Sequence, residues 1–250
     1  MSTPVSRRAF LGGGAAVLLA GGAVAYGLAA GAGERTAPLS PPLSPPPAPR
    51  VRTVWRDHAD GPMPARGDEG VPFVLRAAGP VGGPVVRGGA LDAELGDQRA
   101  ASYVNQDLGT AVHRVGARFA FVPGPGTSDD GSLCLAAWRG ALPPDGPGVI
   151  EAPVHLVVTP RRWIHSIAVE NELVELATGA FDRPLPTDGS ALRVDVTLAG
   201  DRAEIALPDG TTTTVRDDRV PALPAPVACW ESYRHAPGGA AVRLYETWAA

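Results

Sequence analysis

Beyond Val51 the chain breaks into short apolar runs separated by turn residues, with the period of two that sends successive side chains to opposite faces of a strand. Residues 112–122, 132–139, 154–159 and 163–170 read as strands, followed by 173–181, 192–198, 203–207, 211–215, 227–233 and 241–248. Ala199-Gly200-Asp201 and Pro208-Asp209-Gly210 lie between alternating runs, and Asp-Gly supplies the positive φ of a tight hairpin, so three of these strands form a meander. The stretch 90–108 has loose helical spacing through Leu91, Leu95 and Val104, but Gly96 interrupts it. A loop and then a strand over 101–106 are expected there. Strands at this density with no helices between them indicate an all-β fold, an antiparallel β-sandwich or a barrel.

The first fifty residues break this pattern. Arg7 and Arg8, followed after one residue by Phe10 and Leu11, form a twin-arginine export pattern, and the 21 residues 12–32 carry no charge and are rich in Ala and Gly. So weakly hydrophobic a segment inserts poorly into a bilayer and suits a route that exports folded proteins. Ala30-Gly31-Ala32 fits a small-residue cleavage site after Ala32. An uncleaved membrane anchor is the alternative, since about 20 residues span a bilayer. Residues 33–50 include a proline-rich tract that favours extended polyproline II, a semi-rigid spacer. The expected organisation is a signal or anchor over 1–32, a linker over 33–50 and one domain over 51–250, exported and secreted or held at the cell envelope. Its partners are then the twin-arginine machinery during export and a membrane only through the N-terminal segment.

Composition agrees with strands and turns: 31 glycines and 27 prolines exceed a fifth of the chain, and 44% hydrophobic residues suffice for a core. All 22 basic residues are arginine against 26 acids; without residues 1–32 the balance is 20 against 26, a net charge of −6. A mildly acidic domain with scattered arginines lacks the basic patch of a nucleic-acid binder.

Tyr103-Val104-Asn105-Gln106-Asp107 leading to Arg118-Phe119-Ala120-Phe121, together with 132–138, 154–163, Cys229-Trp230-Glu231-Ser232-Tyr233 and Glu246-Thr247-Trp248, resembles the concanavalin A-like lectin/glucanase domains. The resemblance covers most of 71–250 and is one of strand order and hydrophobic texture. It implies a jelly roll of two curved antiparallel sheets whose concave face holds a glycan. The E-x-D-x-x-E string of the laminarinase-type hydrolases is missing, and legume-type calcium and manganese ligands find no residue-by-residue match. Glu170, Glu172 and Glu175 fall at an expected hairpin tip.

A glycosidase needs two carboxyl groups facing across a cleft. Glu231 and Glu246, each between aromatics on a strand, are the candidate pair; strand-edge carboxylates paired with arginine are the alternative. Cys134 and Cys229 are both on strands and read equally as a disulfide or as two buried thiols. With a disulfide, alternation brings Trp138, Glu231 and Tyr233 together as an aromatic platform with a carboxylate, suited to a sugar, although the same aromatics can fill core. His58, His113, His155, His165 and His235 lack ligand spacing, so no metal site and no cofactor are expected. Thr127-Ser128-Asp129-Asp130-Gly131 is too short for a calcium loop. The leading expectation is an exported β-sandwich that binds carbohydrate without catalysis. A glycoside hydrolase or lyase and a structural envelope protein are the alternatives.

Overall fold

The computed structural model describes residues 48, 50–79, 81–96, 99–124, 131–140, 151–236 and 238–250. The export signal (Arg7, Arg8, Phe10, Leu11, Ala32), nearly all of the linker and residues 127–130 lie outside them. The strands are β1 (Val51–Val54), β2 (Gly61–Pro62), β3 (Phe73–Ala78), β4 (Val85–Arg87), β5 (Ala90–Asp92), β6 (Ala100–Asp107), β7 (Arg114–Val122) and β8 (Gly131–Trp138). The second half adds β9 (Ala152–Val158), β10 (Arg162–Val169), β11 (Glu172–Ala180), β12 (Leu192–Ala199), β13 (Arg202–Ala206), β14 (Thr212–Arg216), β15 (Val227–Arg234) and β16 (Ala241–Ala249). Two single 3-10 turns, Trp55–Asp57 and Val220–Ala222, are the helical elements among the described residues. None is long and apolar enough to cross a membrane.

The strands form two sheets. One runs β14-β13-β12-β7-β16-β5-β4-β2, with β1 also paired to β16; the other runs β11-β10-β9-β8-β15-β6-β3. Every paired neighbour is antiparallel. The β12-β13-β14 meander is as expected. At the β10–β11 hairpin, Glu170 and Asn171 have φ of 50° and 72°, the left-handed pair that a two-residue turn needs. Of the acidic group at 170–175, Glu170 is thus at the hairpin tip, Glu172 is the first residue of β11 and Glu175 lies further along that strand, in register with Ser166. The stretch 90–108 departs from expectation at its start, because residues 90–92 pair with β4 and β16 as a strand where a loop was expected.

Alternation gives the sandwich its core. Val115, Ala117, Phe119, Phe121, Val194, Val196, Val242 and Leu244 of the nine-stranded sheet meet Val104, Leu133, Leu135, Val154, Leu156, Val158 and Trp230 of the seven-stranded sheet in one buried cluster. The Trp230 indole N–H donates across the sandwich to the Gly116 carbonyl at 2.8 Å, which satisfies the polar atom of this fully buried side chain. On the far side of the nine-stranded sheet, Trp248 lies flat on Gly116, where a Cβ would come within 2.4 Å of its ring. The Trp248 N–H donates to Asp195, Arg114 grips the same carboxylate with two nitrogens, and the Arg193 guanidinium sits 4.2 Å from the indole centroid.

Candidate functional site

The residues facing away from the core on the seven-stranded sheet carry the chemistry. Along β8 the side chains of Leu133, Leu135 and Ala137 enter the core, so Cys134, Ala136 and Trp138 point to the other face. Register then builds two adjacent rows across neighbouring strands. The first is Tyr103, Glu231, Cys134 and Val157, on β6, β15, β8 and β9. The second is Asn105, Cys229, Ala136, His155 and Ser166, ending on β10. Trp138 lies one row further, opposite Val227, and Tyr233 lies one row back, opposite Ser132.

The centre of this face is withdrawn from solvent. Cys134 is 2% exposed, Trp138 4%, Tyr233 5% and Glu231 8%, while Tyr103 and His155 on either side are half-buried. The face therefore has a floor with Trp138 at one end and Tyr233 at the other, and a half-buried ring on each flank. Trp138 belongs to a second apolar cluster with Cys134, Ala136, Ala152, Ala168, Val227 and Cys229, so it fills space as much as it lines the face. Tyr233 is held by Arg99, which donates to its hydroxyl, and by the His235 ring packed edge-on at 4.3 Å.

Glu231 is held by two neutral donors, the Cys134 thiol and the Tyr103 hydroxyl. Burial outweighs them and pushes its carboxyl up to about 7. Burial likewise raises both thiols and the Tyr103 phenol, with the Glu231 charge adding to each. It drives His155 down to about 4. His165 also falls to about 4, from burial first and then the neighbouring His155. His165 is in register with Leu156 on the core side, so at neutral pH the floor itself holds protonated thiols, the neutral His155 imidazole and a carboxyl close to its midpoint.

Three sequence expectations change here. Glu246 lies on β16, in the other sheet; a bulge between Leu244 and Glu246 shifts the alternation, and Glu246, in register with Arg118, is on the outer side, ion-paired to Arg52 at 2.7 Å. Glu231 and Glu246 therefore sit on opposite sides of the sandwich and cannot flank one glycosidic bond. Cys134 and Cys229 are free thiols: Cys134 is in register with Glu231 and Cys229 with Ala136, so the two cysteines are diagonal neighbours on one face and the dithiol alternative is the one realised. The placement of Trp138, Glu231 and Tyr233 on one face follows from register and needs no disulfide. His155 has no ligand spacing in the sequence, yet one ligand atom each from Cys134, His155 and Glu231 lie within 4.8 Å of one another. Strand pairing alone could have revealed that convergence, because the three residues come from β8, β9 and β15.

No family model matches the chain and no curated protein matches it. Solved structures do. The exoplasmic/lumenal domain of VIP36, in a form bound to Ca2+ and mannose, aligns with a TM-score of 0.55 at 11% identity over 76% of this chain and 88% of that one. The carbohydrate recognition domain of Emp47p aligns with a TM-score of 0.52 at 10% identity, over 80% and 93% of the two chains. A legume lectin-like domain from Entamoeba histolytica gives 0.50 at 9% identity, over 71% and 89%. The fold is concanavalin A-like. The described residues make a sandwich of that fold, and the alignments span most of the length of each neighbour, as the resemblance of strand texture implied. At such low identities the likeness concerns the frame, and the site has to be argued from this chain's own residues.

Proposed function

We propose that this protein is an exported carbohydrate-binding module of the cell envelope or exterior, working without catalysis. The observation that carries this reading is the outer face of the seven-stranded sheet. There Tyr103 and His155, half-buried, flank the Glu231 floor, in a fold shared with a domain solved with bound mannose. An aromatic ring offers a sugar a flat apolar surface, and an imidazole or phenol offers its hydroxyls a hydrogen-bond partner. Trp138 and Tyr233 support the face from below.

A hydrolytic reading has lost its second acid. Glu231 is the one carboxylate in the two described rows, and Glu246 is on the far side. Glycan-array binding of the purified protein tests the proposal, with mannosides and envelope polysaccharides as probes and free sugar assayed in parallel. Binding that falls in Tyr103→Ala, with no sugar released, is expected. Release of sugar, or no binding to any probe, overturns it. Export is tested separately: changing Arg7 and Arg8 to lysine should leave the precursor inside the cell, and unimpaired export of that variant rejects the twin-arginine route.

A further inference from the structure

We propose that Cys134, His155 and Glu231 form a site for one thiophilic divalent cation, zinc(II) by its chemistry. The proposal stands without the glycan reading, because it rests on three side chains in the floor of the face.

The geometry comes first. The three ligand atoms lie within 4.8 Å of one another. Zinc bound at about 2.3 Å from sulfur and about 2.0 Å from nitrogen or oxygen brings tetrahedral ligands to within roughly 3.3–3.8 Å. Small rotations about side-chain bonds close that difference, with no movement of strands. The backbones are fixed by the ladder: Cys134 and Glu231 are a register pair, and His155 is one row on, across from Ala136, whose side chain is only a methyl.

The supporting residues point the same way. The Tyr103 hydroxyl bonds the Glu231 carboxyl and orients it, and the Trp138 ring packs against the His155 ring with centroids 5.8 Å apart. Metal ligands are commonly held by such neighbours, whose loss weakens binding. Burial selects the occupant. A thiol 2% exposed and a carboxyl 8% exposed are out of reach of a substrate carbonyl, so nucleophilic catalysis by Cys134 is a poor use of this cluster, whereas a bare ion fits. Half-buried His155 marks the side of entry.

Charge and donor type complete the case. Glu231 is held only by the two neutral donors named above, so a buried carboxylate here lacks a positive partner among its described contacts. A divalent cation meets one thiolate and one carboxylate with no net charge left in the interior, and the thiol proton leaves to solvent as the bond to sulfur forms. Sulfur and imidazole donors favour zinc over calcium or magnesium, which take oxygen ligands. Export in the folded state, proposed above, gives such an ion a route out of the cell already loaded.

The test is cobalt(II) titration of the full chain after removal of metal with a chelator, read by absorption. Expected is a thiolate-to-cobalt charge-transfer band that saturates at one equivalent and is displaced by zinc(II). Cys134→Ser should lose the band and Cys229→Ser should keep it. His155→Gln, at a half-buried position, should weaken binding at least about tenfold with an unchanged circular dichroism spectrum, and it decides the matter if Cys134→Ser fails to fold. No band in the wild type, a band that follows Cys229, or undiminished affinity in His155→Gln overturns the proposal.

Discussion

Replacing Glu231 with glutamine probes the floor of the site directly. The buried carboxyl is raised from 4.5 to about 7, chiefly by desolvation. Its pKa being higher in the folded state, the native protein holds a proton that the unfolded chain releases between these values. Stability therefore falls as pH rises from about 4.5 to 7, and the full penalty is present above that window. A shift of that size corresponds to about 3 kcal/mol, at roughly 1.4 kcal/mol per pH unit. Two histidines act in the opposite sense: His155 and His165 are lowered from 6.5 to about 4, so the unfolded chain takes up their protons first and their contribution grows as pH rises from 4 to 6.5. The raw stability curve mixes the two effects, and the difference between wild type and Glu231→Gln isolates the carboxyl. Urea unfolding in chelator at a series of pH values is the assay, with an unchanged m-value as the check on two-state behaviour. The variant should gain about 3 kcal/mol on the wild type between pH 4 and 8, most of it from 4.5 to 7. Parallel curves would refute the argument that burial governs this group.

The remaining predictions concern the frame and the rejected alternatives. Gly116→Ala forces Trp248 off β7 and strains its bond to Asp195, at a cost of about 1–3 kcal/mol in denaturant unfolding; a neutral effect would contradict the packing described. Protein unfolded without reductant should yield two reactive thiols in a colorimetric assay, and none in the native state, where both cysteines are buried and raised. Zero thiols after unfolding would restore the disulfide. Glu246→Gln removes only a surface ion pair with Arg52, so it should shift stability by less than about 1 kcal/mol and leave glycan binding unchanged.

What could be read in advance follows the physics of strands. From β6 onward each strand was legible as an apolar run bounded by turn residues, whether one face is buried or, as in β8 and β15, both; β13 and β14, with alternating burial and Asp-Gly at the turn between them, are the plainest case. β2 and β4 are two and three residues long, one contains proline, and neither is long enough for a period to show. Sheet membership was hidden as well. Glu231 and Glu246 sit in similar aromatic settings on consecutive strands, and only pairing, β15 with β6 and β8 but β16 with β7 and β5, separates them. The Cys134-His155-Glu231 cluster lay beyond any spacing test for the same reason, since its residues are up to 97 positions apart and meet through register.

Ligand binding at the outer face of the seven-stranded sheet is what the proposed function requires. Amide chemical-shift changes on titrating isotope-labelled protein with the glycan that binds most strongly on the array test it most directly. Shifts concentrated on β6, β8, β9 and β15, largest around Tyr103 and His155, are predicted. Shifts confined to β7, β12 and β16 around Trp248, or none at saturation, would contradict it.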